Sequence, residues 1–330
     1  MRIVFTGGGS GGHLYPIIAV ARQLKKQYQN PTESLELFYL GPIDSTSRQE
    51  LSQENIKTKG LITGKIRRYF SLKNFLDIFK MPIGFFQSLW HLYIIMPDVV
   101  FSKGGYGSIS VVFISWLFRI PIVIHESDTS PGLANRFASF FAKRVGIAFS
   151  EAKSFFPEKK TALIGHPFRT EVCQGQKEEG LSFFNLSGQK PVILITGGSQ
   201  GAHVLNEIAL ITAPRLLKKY DLILITGSRN YSFAKKSLKD TSVKLIASAN
   251  QEQMKNALAA ADLVVSRAGA GSIFEIAACH KPSILIPLPG SASEHQKSNA
   301  FSYSRTGAAT TIEQTNLTPN IFLNEIDRLF

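Results

Sequence analysis

The sequence predicts an α/β protein made of two Rossmann-like, doubly wound parallel-sheet domains. Three observations predict it. Strand-like runs alternate with helical patterns along all 330 residues, the pattern of layered α/β folds. Most of those runs are apolar on both faces, as strands covered by helices on two sides should be. A strand that runs into a glycine turn and then a helix also occurs twice, as 3-IVFTGGGSGGH-13 and 192-VILITGGSQGAH-203. Anchored on Thr-Gly-Gly, Thr6 matches Thr196, Gly11 matches Gly201 and His13 matches His203 at one offset.

The elements follow in order. The first series of strands is expected at 2–6, 35–40, 98–102, 121–126, 144–149 and 161–165. The second is expected at 191–196, 222–226, 243–247, 262–266 and 283–287. Between them lies 165-GHPFRTEVCQGQKEEG-180, polar and turn-rich, which sets domains at 1–166 and 167–330. In such sheets ligands bind outside the carboxyl ends of the strands, so two domains facing each other predict a cleft.

Composition narrows the function. A formal net charge of +13 favours an anionic partner, and no zinc-finger, RRM or KH pattern supports nucleic acid. The longest apolar runs, such as 111-VVFISWLF-118, are too short to span a bilayer. A strand directly after Met1 leaves no room for a signal peptide, and a cytosolic location is expected. Cys173 and Cys279, far apart in sequence, make neither a disulfide framework nor a zinc spacing; buried structural thiols are expected.

The first glycine turn contains Gly7-x-Gly9-x-x-Gly12, formally a dinucleotide fingerprint. Backbone N–H groups in such a turn approach anions, and the following helix adds its positive end. A nicotinamide site also needs an acid at the end of the second strand. Here that strand ends Tyr39-Leu40-Gly41, with Asp44 late. The segment 60-GLITGKI-66 fails as a P-loop, with one residue too few between its glycines and no Ser or Thr after Lys65. His13 stands where turn becomes helix, with Pro16 placed in the first turn. It reads either as a group that takes a proton near neutral pH or as a capping histidine; His203 reads as structural.

The second domain carries a strand ending at Ser266, a small-residue turn 268-AGAGS-272, and a helix with Glu275. Backbone amides there suit a diphosphate, and the carboxylate suits ribose hydroxyls.

Seven stretches, in order along nearly the whole chain, resemble the MurG glycosyltransferase family: 7-GGGSGGHLYP-16, 101-FSKGGYGS-108, 121-PIVIHESDTSPGLANR-136, 165-GHPFR-169, 197-GGSQGAHVLN-206, 266-SRAGAGSIFE-275 and 294-EHQKSNA-300. The resemblance implies a GT-B fold and transfer of N-acetylglucosamine from UDP-N-acetylglucosamine to the muramyl C4 hydroxyl of lipid I, forming lipid II. It implies that Arg169 and Ser199 contact the donor diphosphate with backbone near Ala270 and Gly271, that Glu275 holds the ribose, and that Gln296 reads sugar hydroxyls. Uracil would rest on backbone near Asn250 and Gln251. Asp128 stands where the family often has Asn, the text here being HESD rather than HEQN, which bears on a sugar contact from that position. The turns holding Ser10, Gly11, Gly12, Gly104 and Gly105 would take the lipid pyrophosphate. The expected chemistry is one inverting displacement, with His13 as first-choice base and Glu126 and His125 as second candidates. Without a D-x-D pair, no obligatory metal or cofactor is expected; Arg169 and helix ends would carry the leaving diphosphate.

Residues 57–80 hold seven basic side chains and one acid among Tyr69, Phe70, Phe75 and Phe79. This suits an anionic membrane surface, with Arg67, Arg68, Phe70, Lys73, Phe75 and Phe79 as the contact. An ordinary helix with a solvated basic face fits the same pattern. Peripheral docking on the cytoplasmic face of the plasma membrane is expected. Family members usually continue beyond 321-IFLNEIDRLF-330 through a further helix, which this chain is expected to lack. Two other functions fit parts of the pattern. A UDP-N-acetylglucosamine 2-epimerase would keep the donor site without a lipid surface, and a non-catalytic membrane-associated homologue would keep the fold alone.

Overall fold

The apolar runs of the first half assemble into one parallel sheet. In chain order its elements are β1 (Arg2–Thr6), α1 (Gly11–Gln27), β2 (Glu36–Gly41), α2 (Ser45–Gln53), β3 (Lys57–Gly60), α3 (Leu72–Ile95), β4 (Val99–Ser102), α4 (Ile109–Leu117), β5 (Ile122–Glu126), α5 (Leu133–Phe141), β6 (Arg144–Ile147) and β7 (Thr161–Leu163). The strand order is β3-β2-β1-β4-β5-β6-β7, every pair parallel. Val4, Leu40, Val100, Ile122 and Ile124 are fully or almost fully buried between the two helix layers. The computed structural model describes residues 1–8, 11–28, 34–64, 72–198, 201–239, 241–290 and 294–330, and only the backbone of Thr46 and of 72–79.

The second half repeats the plan: α6 (Lys177–Phe183), β8 (Val192–Thr196), α7 (His203–Leu216), β9 (Asp221–Ile225), α8 (Tyr231–Ser237), β10 (Lys244–Ile246), α9 (Gln251–Ala260), β11 (Leu263–Ser266), α10 (Ala270–Ala278), β12 (Ser283–Leu285), α11 (His295–Ser304), β13 (Ala309–Thr311) and α12 (Pro319–Leu329). Its order is β10-β9-β8-β11-β12-β13, again parallel. The chain divides into two units, Met1–Phe168 and Arg169–Phe330.

Two strands lie where none was expected, β3 and β13. Both are edge strands. β3 reads Lys-Thr-Lys-Gly and is mostly exposed, so it lacks the apolar pattern that marks an interior strand. Pro16 lies six residues into α1 rather than in its first turn. Asp44 accepts from the Ser47 N–H at 2.7 Å and caps α2, a local task that accounts for this acid without a nucleotide.

The sheet order reverses at β1/β4 in the first unit and at β8/β11 in the second. These are the switch points where open α/β sheets bind ligands. In register, Thr6 lies opposite Ser102 and Thr196 opposite Ser266, so the internal repeat extends to the residues that end both pairs of strands.

Candidate functional site

At the first switch point, β4 ends in Lys103-Gly104-Gly105. Both glycines have left-handed backbone, φ 83° and 87°. A Cβ on Gly104 would collide with the Asn135 amide, and one on Gly105 would stand 3.0 Å from Gly8 Cα. The turn is therefore closed to side chains by conformation and by contact. His13 projects from the first turns of α1 over this backbone. A Cβ on Gly8 would meet its Cδ2 at 2.9 Å, and one on Gly105 its Cε1 at 3.4 Å.

The His13 Nδ1 lies 3.3 Å from the Lys103 carbonyl oxygen. A carbonyl only accepts, so Nδ1 carries the proton and Nε2 keeps its lone pair. Burial, and then the Lys103 charge, hold the His13 pKa down at about 4. The ring is neutral at pH 7, with Nε2 available to a proton as a weaker base than free imidazole.

Lys103 is itself buried. Its ammonium donates to Ser127 Oγ, which lies 2.8 Å from His166 Nδ1. Burial lowers the lysine pKa, while Glu126 and Asp128 act the other way. Lys103, Ser127, Asn135 and His166 were not among the site residues expected from sequence. The only signal for them was their place in the quoted motifs, because three of the four are polar residues on loops and their partners are distant in sequence.

Two second-choice bases are corrected. The Glu126 carboxylate accepts four N–H groups: Ser127 N at 2.8 Å and Asp128 N at 3.0 Å on Oε1, and Gly132 N at 3.3 Å and Asn135 Nδ2 at 2.9 Å on Oε2. Its lone pairs are spent on shaping the loop after β5. Burial pushes its pKa up, and Lys103 opposes this. His125 is fully buried, with Nε2 2.8 Å from the Gly165 carbonyl oxygen, and burial takes its pKa down to about 3. Glu126 thus has its oxygens occupied, and His125, although its Nδ1 has no hydrogen-bond partner, is shut away from a substrate by its burial. Asp128, grouped from sequence with donor contacts, belongs to this first-unit cluster, half-buried on the loop after β5.

At the second switch point, α10 starts with no side-chain cap on its N-cap residue Gly269, so no N-cap side chain competes for the first-turn N–H groups around Ala270 and Gly271. Buried Arg267 donates to the Ile286 and Pro287 carbonyls at 3.1 and 3.3 Å, and buried Asn299 donates to Ala268 O at 3.4 Å. These two brace the turn and were not anticipated.

Arg169 and Glu275, assigned from sequence to diphosphate and ribose, are paired with each other. Nε lies 2.9 Å from Oε1 and the second nitrogen 3.2 Å from Oε2, with the side chains only 14% and 15% exposed. In this state each group answers the charge of the other, and a ligand has to exchange for that contact. Asn250 is also committed locally: its side chain accepts from Gln253 N, its N–H goes to Gln253 Oε1, and its carbonyl takes the Met254 N–H. It caps α9 and offers uracil neither of its backbone groups. Gln251 follows as the first residue of α9. Gln296 Oε1 accepts from Leu288 N at 3.0 Å, tying α11 to the loop after β12. His203, the counterpart of His13, is exposed and pairs with Glu207 at 3.2 Å. Cys173 and Cys279, far apart in sequence, are brought to 2.7 Å between sulfurs.

Ser10, Ser199, Arg67, Arg68 and Phe70 lie outside the described residues. Lys73, Phe75 and Phe79 are described only as backbone, within α3. Gly11 and Gly12 open α1.

The profile of the glycosyltransferase family 28 N-terminal domain matches residues 3–147, and that of its C-terminal domain matches 192–330. A UDP-N-acetylglucosamine--N-acetylmuramyl-(pentapeptide) pyrophosphoryl-undecaprenol N-acetylglucosamine transferase of Bacillus cereus is 37% identical over 329 residues, 99% of this chain and 91% of the relative. The chain belongs to the MurG family, within glycosyltransferase family 28. A Clostridium novyi relative of the same name is 38% identical over 331 residues, covering 100% of this chain and 90% of its own. Among solved structures, Acinetobacter baumannii MurG superposes with a TM-score of 0.73 at 25% identity, covering 99% and 90% of the two chains. A Neisseria meningitidis UDP-GlcNAc 2-epimerase bound to UDP-GlcNAc reaches 0.67 at 14% identity over 100% and 91%. That second likeness shows the fold alone. This MurG-family chain is thus a family 28 glycosyltransferase with both domains represented.

Proposed function

We propose that this enzyme transfers N-acetylglucosamine from UDP-N-acetylglucosamine to the C4 hydroxyl of the muramyl sugar of lipid I, releasing UDP. The observation that carries the reading is His13: a neutral imidazole, its tautomer set by the Lys103 carbonyl, at the β1/β4 switch point. His13 Nε2 takes the C4 hydroxyl proton as the oxygen attacks the anomeric carbon and the bond to the UDP oxygen breaks. Gly11, Gly12, Gly104 and Gly105 offer backbone to the lipid pyrophosphate. In the second unit, the α10 start and Arg169 take the donor diphosphate, Arg169 exchanging Glu275 for phosphate while Glu275 turns to the ribose. These groups carry the leaving charge with no obligatory metal ion. The test is incubation of labelled donor with a lipid I analogue. Disaccharide-lipid with UDP release supports the reading; free N-acetylmannosamine supports an epimerase instead; neither product contradicts both.

A second reading concerns location, and a surface of the first unit favours it. Phe86, Trp90 and Tyr93 on α3, Trp116 and Leu117 on α4, and Phe140 on α5 are exposed, Phe86 by 74% and Phe140 by 77%. Such a concentration of exposed aromatics marks an interaction site. Trp116 and Phe141 lie 5.1 Å apart with tilted rings, and Phe113 lies 5.9 Å from Phe141, joining α4 to α5. Exposed Lys80, Arg119, Arg136, Lys143 and Arg144 lie on or next to the same helices. No helix among the described residues is long and apolar enough to cross a membrane. Rings that insert beside cations that meet anionic headgroups suit peripheral docking on the cytoplasmic leaflet, where a lipid-linked acceptor would be met. This face adds the second half of α3, α4 and α5 to the contact proposed at 57–80.

A further inference from the structure

The chain has two cysteines, 106 positions apart, and the fold sets them side by side. Cys173 ends a 3-10 turn, Thr170–Cys173, whose N-cap is Arg169. Cys279 caps the carboxyl end of α10, one turn after Glu275. The same two segments are therefore joined by two rungs: Arg169 with Glu275, and, four residues later on each side, Cys173 with Cys279. The sulfurs stand 2.7 Å apart, and a disulfide closes at about 2.05 Å, so oxidation asks for a movement well under 1 Å. Further contacts knit the rung, from Cys279 Sγ to Val172 O at 3.7 Å and from Cys173 Sγ to Glu275 O at 3.9 Å. Both thiols are free and half-buried, within reach of a small reagent.

We propose that Cys173 and Cys279 are a redox-modification site: a reversible disulfide that locks Arg169 against Glu275 and so lowers affinity for the nucleoside diphosphate. The coupling to nucleotide rests on the donor-site reading above. The oxidant is a low-molecular-weight disulfide. One protein thiolate attacks it, forming a mixed disulfide and releasing one small thiol. The second protein thiolate then displaces the other small thiol, closing Cys173–Cys279. The small disulfide is reduced to two thiols, and the protein loses two hydrogens.

Burial raises both thiols, Cys279 further because the neighbouring Cys173 adds to it. Cys173 is thus the better first nucleophile, and exchange is slow near neutrality and faster in mild alkali. Once closed, the covalent rung keeps the 3-10 turn on α10. Arg169 then cannot swing its guanidinium from carboxylate to phosphate without straining the turn.

The test uses the full chain with oxidised glutathione at pH 8, then dithiothreitol. Peptide mapping by mass spectrometry is expected to show one cross-linked peptide joining the 173 and 279 segments. UDP affinity is expected to fall about ten-fold on oxidation, recover on reduction, and stay constant in Cys279→Ser under both conditions. If the folded chain forms no such disulfide while the urea-unfolded chain does, the proposal is overturned. Full oxidation with unchanged UDP affinity overturns it as well. If neither form binds UDP, the donor-site reading has failed on its own. Amide exchange then decides the staple: slower exchange across 169–173 and 270–279 on oxidation supports it, and unchanged exchange removes it.

Discussion

The Lys103 carbonyl oxygen lies 3.3 Å from His13 Nδ1, and the charge of the same lysine helps to keep that imidazole unprotonated. One residue thus sets the tautomer by its backbone and, by its side chain, adds to the burial that keeps the ring neutral. The ammonium is held through Ser127 and His166 and offset by Glu126 and Asp128.

Lys103→Met keeps the carbonyl and removes the charge. The acid limb of kcat/KM in the wild type is expected near pH 4, where His13 titrates. In the variant it should move up part of the way toward the ordinary histidine value of 6.5, because burial, the larger cause, remains, with the KM for UDP-N-acetylglucosamine little changed. A pH–rate profile over 4 to 8 checks this; an unmoved limb leaves Lys103 a structural role only.

Acid stability follows from the same cluster. His13, His125 and His166 all have lowered pKa values, each first through burial. As pH falls below about 6.5, the unfolded chain binds these protons and the folded chain does not, so stability drops. Each histidine contributes a slope of about 1.4 kcal/mol per pH unit. The window runs down to about 4 for His13 and about 3 for His125. Glu126, whose pKa is raised, has the opposite sign and offsets part of the loss. Calorimetric Tm should fall steadily from pH 6.5 to 5; a flat Tm contradicts the neutral cluster.

The Arg169–Glu275 pair predicts coupling. Arg169→Lys loses the two-pronged contact, and Glu275→Gln loses its charge. Each should weaken UDP binding on the order of ten-fold, since charged hydrogen bonds contribute about 1.5–3 kcal/mol. The double variant should cost more than the sum, because either single change already releases the ligand-free pairing that competes with UDP. Isothermal titration of UDP against the four proteins tests it, and strict additivity would show that the two residues act apart.

The apolar face predicts vesicle binding. Phe86→Ser with Trp90→Ser should reduce co-sedimentation with anionic vesicles several-fold and leave soluble UDP affinity intact. Raised salt should weaken the wild type through its basic residues. Unchanged sedimentation would remove this face as the contact.

Much of the fold was legible because it rests on burial. Strands such as Ile193–Ile195 are fully apolar, and the paired Thr-Gly-Gly turns announced both switch points. β3 was not legible, since an exposed edge strand of alternating lysine and threonine carries no burial signal. In the site, His13 and the α10 turn were readable from glycine placement. The partnerships were not. Lys103 with Ser127 and His166, Arg169 with Glu275, and Cys173 with Cys279 join residues 24 to 106 positions apart, and nothing local records such pairs. Glu126 shows the converse. An acid in a strand-end motif suggests a base, yet four N–H donors make it the frame of its own loop.

The proposed transfer depends on His13 as its base. Single-turnover transfer from UDP-N-acetylglucosamine to a lipid I analogue, measured for wild type and His13→Gln alongside UDP affinity, tests it most directly. The expected result is a rate loss of about 100-fold or more, the contribution of a positioned base, with UDP binding within two-fold of wild type. Transfer at the wild-type rate by His13→Gln would contradict it.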